Sequence, residues 1–399
     1  MKILVLTSRF PYPIEKGDKL RIYYQIRELA KRHEVCLFSL SEIPISAADQ
    51  LELGKFCQEI RIVPLPTWEK LLRLFKGFIL GHPFQTAYFY RRAALRELSR
   101  FVASCQPDLL YCQLLRMAPY AMATQLPRTL DYMDCFSMGM QRQAEKTAFP
   151  VNLIYRREAR ILKKYEAHIF SHFHHHSIIS TQDRDHMSWA SSQDIQVVPN
   201  GVDLDFFSPL AIPPTYELVF VGNMGYFPNV QAAKYLVQKI LPLVWQQHAD
   251  CKVLIAGARP SPDVQRLAQD SRVTVSGWME DIREAYASGH LFVAPLFTGS
   301  GQQNKILEAM AMGVPCLTSG LVNMAIGAKA GQSILLAETP ETFAQQILSM
   351  LDQPSKLKEI RVNGLEFIKR FSWEESVLSL EKGFFTHNPS SGSSDSAQA

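Results

Sequence analysis

Lys305 and Glu308 stand three residues apart in a segment whose other members, Ile306, Leu307, Ala309, Met310, Ala311 and Met312, are all apolar. A helix apolar on nearly every side is a buried helix, and side chains three positions apart share one face. An ammonium and a carboxylate in its first turns are costly to bury unless something polar meets them there. Ahead of the pair runs Gly299-Ser300-Gly301-Gln302-Gln303-Asn304, and ahead of that an apolar run over residues 290–296. Strand, glycine-bearing loop and helix start together leave backbone N–H groups free to face an anion. The chemistry read from this pattern is the holding of a nucleoside diphosphate. Ser300, Gly301, Gln302, Gln303, Asn304 and Lys305 meet the phosphates, and Glu308 accepts hydrogen bonds from the ribose hydroxyls. The alternative is a Lys305–Glu308 pair that satisfies itself.

Other residues at predicted strand ends join the candidate list. Asp131 and Asp134, in Asp131-Tyr132-Met133-Asp134, either bond acceptor or donor hydroxyls or cap the next helix. Gln113 closes the strand near 109–112. Arg259 either approaches the nucleotide or pairs on the surface, and residues 278–281 either line a base pocket through backbone groups or, at Trp278, supply a packing residue. Asp203-Leu204-Asp205 mimics a DxD metal motif, but it is far in sequence from the phosphate loop and reads as structural. His174-His175-His176 with His172 reads as a solvated turn, because adjacent residues rarely converge on one ion. No metal site and no cofactor are expected.

The elements that must position these residues alternate strand and helix twice over. Strands are predicted at 2–7, 33–40, 60–64, 109–112, 177–180 and 196–198, with helices near 19–32 and from 153 to about 172. Asn200-Gly201 then reads as a turn needing positive φ, and residues 208–214 read as a linker. The rhythm restarts with strands at 217–221, 252–256, 273–276, 291–295, 315–318 and 333–336. Helices follow near 229–247, 262–269, 281–287, 304–312 and 340–351. This alternation predicts an α/β protein of two doubly wound parallel sheets, with ligands at the carboxyl ends of the strands. The expected domains are 1–199 and 200–385, the final helix being able to pack back on the first, with a disordered Ser/Gly-rich tail at 386–399.

At 399 residues two domains are expected, and a charged share of 20% is ordinary for a globular protein. Residues 1–200 hold 27 Lys/Arg against 19 Asp/Glu, whereas residues 201–399 hold 15 against 19. The excess peaks over 61–100, where Leu71, Leu72, Leu74, Phe75, Phe78, Ile79 and Leu80 interleave with basic residues. That suits a surface resting on anionic lipid or an acidic lipid-linked acceptor; the other reading is a solvated helix face over the first core. Seven scattered cysteines without a CxxC pair argue for a reducing compartment and against a zinc site or disulfide frame. No segment reaches spanning length, and the N-terminal apolar run is too short for a signal sequence. A cytoplasmic protein, peripheral at the inner face of the membrane, is expected, with no nucleic-acid partner.

Three segments carry a resemblance to a known family: Val198-Pro199-Asn200-Gly201-Val202-Asp203, Phe220-Val221-Gly222-Asn223-Met224 and Lys305 through Pro315. The chain resembles the GT-B retaining glycosyltransferases of family four (glycosyltransferase group 1). Gln303-Asn304-Lys305, and Tyr12-Pro13 with Lys16 through Arg21, are similar to the bacterial subgroup associated with exosortase and exopolysaccharide systems. The resemblance implies two Rossmann-like domains facing each other across a cleft. It also implies transfer of a sugar from a nucleotide sugar to a glycan or lipid-linked acceptor, with retention and without a metal. It places Glu308 on the ribose, Lys305 near the diphosphate, Gly17 in a loop whose backbone approaches the donor, and Gly222 and Asn223 in the matching loop of the second domain. Two positions depart from the family pattern. Ser300 stands where the first glutamate of a Glu-x7-Glu motif is expected, and Gln113 stands where many relatives have a histidine. The rival readings are a non-catalytic nucleotide-sugar-binding protein and a sugar-nucleotide epimerase or phosphorylase of the same fold.

Overall fold

The computed structural model describes residues 1–187, 189–298 and 302–385. They form two units, Met1–Pro199 with Ser376 onward, and Asn200–Glu375.

The first unit is built on seven parallel strands: β1 (Lys2–Thr7), β2 (Glu34–Ser41), β3 (Glu59–Pro64), β4 (Leu109–Gln113), β5 (Arg128–Asp131), β6 (His175–Ile178) and β7 (Gln196–Val197). Their order is β3-β2-β1-β4-β5-β6-β7. Runs such as Ile3-Leu4-Val5-Leu6 are fully buried, as a strand covered by helices on both faces requires. The chain moves one way from β1 to β3 and returns to the other side of β1 at β4, so the switch point lies between β1 and β4. From Ser376 the last helix, Trp373–Phe385, packs with this unit: Glu381 accepts from Arg32 at 3.1 Å and hydrogen-bonds His33 at 2.9 Å.

The second unit repeats the plan with β8 (Tyr216–Val221), β9 (Val253–Ala256), β10 (Val273–Gly277), β11 (Gly289–Ala294), β12 (Cys316–Thr318) and β13 (Leu335–Leu336), ordered β10-β9-β8-β11-β12-β13. Its switch point lies between β8 and β11. The helix predicted at 229–247 runs from Phe227 to Val244, with a single π turn at Leu236–Ile240. Pro242 follows at once, and a residue without an N–H disrupts the ordinary ladder there.

Several sequence expectations need correction. Neither Asn200 nor Gly201 has positive φ. Glycine is needed at 201 for close approach instead, since a Cβ there would lie 2.4 Å from the Trp373 backbone nitrogen. Residues 208–214 are not a linker between units but lie inside the second, where Leu210 packs on its core. The histidine run is no solvated turn. His175 opens β6, and His176 is buried, its ring 3.9 Å from that of Phe170 and its Nε2 2.9 Å from the Phe170 carbonyl. Burial pushes the His176 imidazole down to about 4, so it is neutral.

Candidate functional site

In the second unit the helix Asn304–Ala311 packs on β12, and its Lys305 reaches the carboxyl end of β8 beside Phe220 and Gly222. Backbone packs against backbone at this edge. Gly257 has φ 132°, and a Cβ on it would fall 1.9 Å from the Gly222 carbonyl oxygen, so only glycine fits. A Cβ on Gly222 would in turn crowd Asn229 Nδ2 at 2.8 Å and Lys305 Nζ at 3.3 Å. The two glycines thus make a floor from which the side chains of the next layer rise.

That layer contains Lys305 and Glu308. Their neighbours Ile306, Leu307, Ala309 and Met310 are buried in the core, while the two charged residues are half-buried. Lys305 Nζ donates to Asn229 Oδ1 at 2.5 Å and lies 5.5 Å from the centre of the Phe220 ring. Burial pushes its ammonium down to about 8, partly opposed by the charge of Glu308. Glu308 Oε2 accepts from the Tyr286 hydroxyl at 2.6 Å. Burial raises its carboxyl, against the pull of that hydrogen bond and of Lys305. No ion pair joins Lys305 to Glu308 among the described residues; each has gone to a different neutral partner. An ammonium with three donors and one bond, beside a carboxylate with one of its two oxygens bonded, retains capacity for a ligand.

The sequence assigns no role to Asn229, at the end of the candidate loop 222–229, or to Tyr286. Asn229 is buried, and its Nδ2 donates to the Asn223 carbonyl at 2.9 Å while its Oδ1 holds Lys305. Its place at the start of the helix after Gly222 was the available signal. Tyr286, fully buried in the helix Ile282–Ala287, carried none.

The remaining candidates divide. Gln303 is the N-cap of the helix and makes no side-chain capping bond. Gln302 and Asn304 turn elsewhere: Gln302 bonds the Asn200 backbone in both directions, at 2.7 and 3.1 Å, and Asn304 Oδ1 accepts from Asn200 Nδ2 at 3.2 Å. Their side chains tie the loop before the helix to the start of the unit. Asn223 is exposed, with its Oδ1 accepting from the Gly225 amide at 3.0 Å. Arg259, at φ 57°, is exposed and has no hydrogen-bond or ion-pair partner among the described residues. Trp278 does not pack; it is 71% exposed. Asp203 Oδ1 accepts from the Phe206 amide, a structural turn. Ser300 and Gly301, like the tail at 386–399, lie outside the described residues.

In the first unit Asp131 is turned inward. Its carboxylate, fully buried, takes the Arg21 guanidinium at 2.6 and 3.2 Å, the Tyr111 hydroxyl at 3.2 Å and the Ser177 hydroxyl at 2.9 Å. Gln113 is also turned inward and donates to the Asp18 carbonyl at 2.6 Å. Neither Asp131 nor Asp134 caps the next helix. Its Ser137 amide is taken by Glu166 Oε1 at 2.9 Å. Asp134 differs from Asp131: it is half-buried, its carboxylate has no hydrogen-bond partner among the described residues, and burial beside Asp183 pushes it up to about 7. Gly17 is exposed, with open space around it. Among the described residues no three His, Cys, Asp or Glu side chains cluster as a metal site would require, and no helix is long and apolar enough to cross a membrane.

Residues 215–353 match the family model described as glycosyl transferases group 1. A Klebsiella pneumoniae protein described as an uncharacterized 44.6 kDa protein in the cps region is 22% identical, over 95% of this chain and 98% of its own length. A D-inositol 3-phosphate glycosyltransferase of Catenulispora acidiphila is 25% identical over 47% of this chain and 50% of its own. Among solved structures, sucrose-phosphate synthase from Thermosynechococcus elongatus superposes with a TM-score of 0.69 at 16% identity, covering 96% of this chain and 98% of that one. HepE of Anabaena in complex with UDP-glucose gives 0.67 at 14%, covering 96% and 99%. Residues 215–353 are thus similar to the glycosyl transferases group 1, and the two parallel-sheet units have the GT-B fold of the solved structures.

Proposed function

We propose that this protein transfers a sugar from a nucleoside-diphosphate sugar to a glycan or lipid-linked acceptor, with retention at the anomeric carbon, in cytoplasmic assembly of a cell-surface polysaccharide or glycolipid. One observation carries the reading. Lys305 and Glu308 share a helix at the switch point of the second sheet, hold separate neutral partners, and keep unused hydrogen-bonding capacity. The relative from a cps region supports the polysaccharide setting. The fold neighbour with UDP-glucose makes UDP the first nucleotide to try.

In this reading Glu308 accepts from the ribose hydroxyls through its unbonded oxygen, and Tyr286 fixes the other. Lys305 and the uncapped amides at the helix start meet the diphosphate. As the bond from the anomeric carbon to the phosphate oxygen breaks, its electron pair goes to the diphosphate. Preorganised donors stabilise the charge developing there, and the helix dipole adds to them. The acceptor oxygen bonds to the anomeric carbon on the same face, and its proton passes to the departing phosphate. No protein base, metal or other cofactor is called on.

The test is a panel of nucleotide sugars scored by thermal shift on the purified chain, followed by release of nucleoside diphosphate when membrane extract supplies acceptor. A donor-dependent shift with release supports the reading. A shift without release from any extract favours the non-catalytic binder, and no shift rejects the site. Turnover is expected to persist in excess chelator; loss that magnesium or manganese restores would overturn the metal-free part.

A further inference from the structure

We propose that the first unit docks on an anionic lipid bilayer through a face made by the helix Lys70–Ile79 and the start of the helix Val151–Phe170. Half of the exposed large apolar side chains among the described residues fall within residues 68–80 and 149–154. Trp68 and Leu71 are 79% exposed, Phe149 78% and Phe75 63%. The first helix is inverted relative to an ordinary surface helix. Its Arg73 points inward, donating to the Tyr88 carbonyl at 2.9 Å and the Pro66 carbonyl at 3.2 Å and pairing with Glu69 at 2.9 Å. Gly77 is buried, where a Cβ would collide with Ala87. The sequence pattern of leucines among basic residues left two readings open, and the orientation decides between them: the apolar side faces water. Apolar residues gathered in this way, rather than scattered singly, mark an interaction surface.

The two helices form one face. Arg157 donates to the Phe78 carbonyl at 2.9 Å, and its guanidinium lies 4.3 Å from the Phe78 ring centre and 5.4 Å from that of Phe84. Around the apolar centre stand the exposed cations Lys70, Lys76, Arg156, Arg160, Lys163 and Lys164, none of them in an ion pair among the described residues. Positions 153, 156, 160, 163 and 164 recur at helical spacing, so Leu153 and the basic residues lie on one side of the second helix.

Charge selects the occupant. A second copy of this face would set like charges against each other. An anionic bilayer instead supplies acyl chains for the apolar centre and headgroups for the cations, and two such signals together hold a peripheral protein. The proposal adds to the reading of a lipid-linked acceptor and rests on it only for why the enzyme would sit there.

The test uses the full chain in vesicle co-sedimentation, with phosphatidylcholine alone or mixed equally with phosphatidylglycerol. The expected result is pelleting with the mixed vesicles and not with neutral ones, weakened by salt. Leu71→Glu with Phe75→Glu abolishes it. Arg156→Gln with Arg160→Gln lowers partitioning about fivefold for each cation removed. All four side chains are exposed, and unchanged UDP binding by the same preparations reports an intact fold. No pelleting with anionic vesicles, equal pelleting of wild type and variants, or a concentration-dependent dimer that the Leu71/Phe75 variant abolishes would each overturn the proposal. UDP binding that survives such a result would leave the transferase reading standing, so the two can fail separately.

Discussion

The carboxyl edges of the two sheets share a topology and spend their charges differently. In the first unit, Asp131 at the end of β5 is saturated by Arg21, Tyr111 and Ser177, all buried, and Gln113 at the end of β4 is fixed on the Asp18 carbonyl. In the second, Lys305 and Glu308 have one side-chain partner each. A saturated buried charge has nothing left for a ligand. A half-satisfied one costs stability unless a ligand completes it. The contrast separates scaffold from site more sharply than burial or charge alone, and it marks Asp134, whose carboxylate has no hydrogen-bond partner among the described residues and is raised to about 7, as the unspent group of the first edge.

The largest expected effect tests the scaffold side. Arg21→Met leaves Asp131 charged and buried without its partner, so the first unit should lose about 3–5 kcal/mol in denaturant unfolding. A loss below about 1 kcal/mol would show that the pair is not the anchor described. On the site side, Lys305→Met should weaken UDP binding by about 1.5–3 kcal/mol in titration calorimetry, the worth of a hydrogen bond to a charged group. The same residue sets a pH dependence. Its ammonium is protonated below about 8 in the free protein, and near that pH the diphosphate is already fully charged. Affinity should therefore fall as pH rises above 8, by up to about tenfold per unit, and the Met variant should show no such slope. The smallest effect sharpens the exception: Asp134→Asn should reduce turnover of acceptor about tenfold, roughly 1.4 kcal/mol, and leave UDP affinity unchanged. Equal loss of UDP affinity would place Asp134 in the donor site instead.

Much of the frame was legible in the residues. Buried strands such as Ile3 to Leu6 and Leu218 to Val221 read as continuous apolar runs, and the restart of strand–helix alternation after residue 214 announced a second sheet. Helix 304–312 was visible because its two charges interrupt an apolar helix. What could not be read is who bonds whom across long sequence distances. Arg21 and Asp131 are 110 residues apart, Lys305 and Asn229 are 76, and Gln302 and Asn200 are 102. Sequence spacing carries no trace of such pairs. Gln302 and Asn304 read as ligand groups from their place in the loop, and that their side chains hold Asn200 is not legible there. The glycine at 201 was assigned to a turn because local conformation is visible in a dipeptide, whereas the Trp373 backbone pressing on it is not.

The account stands on a half-buried carboxylate kept open for a sugar nucleotide's ribose, and one titration addresses that directly: UDP binding to the wild type and to Glu308→Ala, with thermal unfolding of both. The account predicts affinity weaker by about 1–3 kcal/mol in the variant with melting little changed. Equal UDP affinity in a variant that melts like the wild type would contradict it.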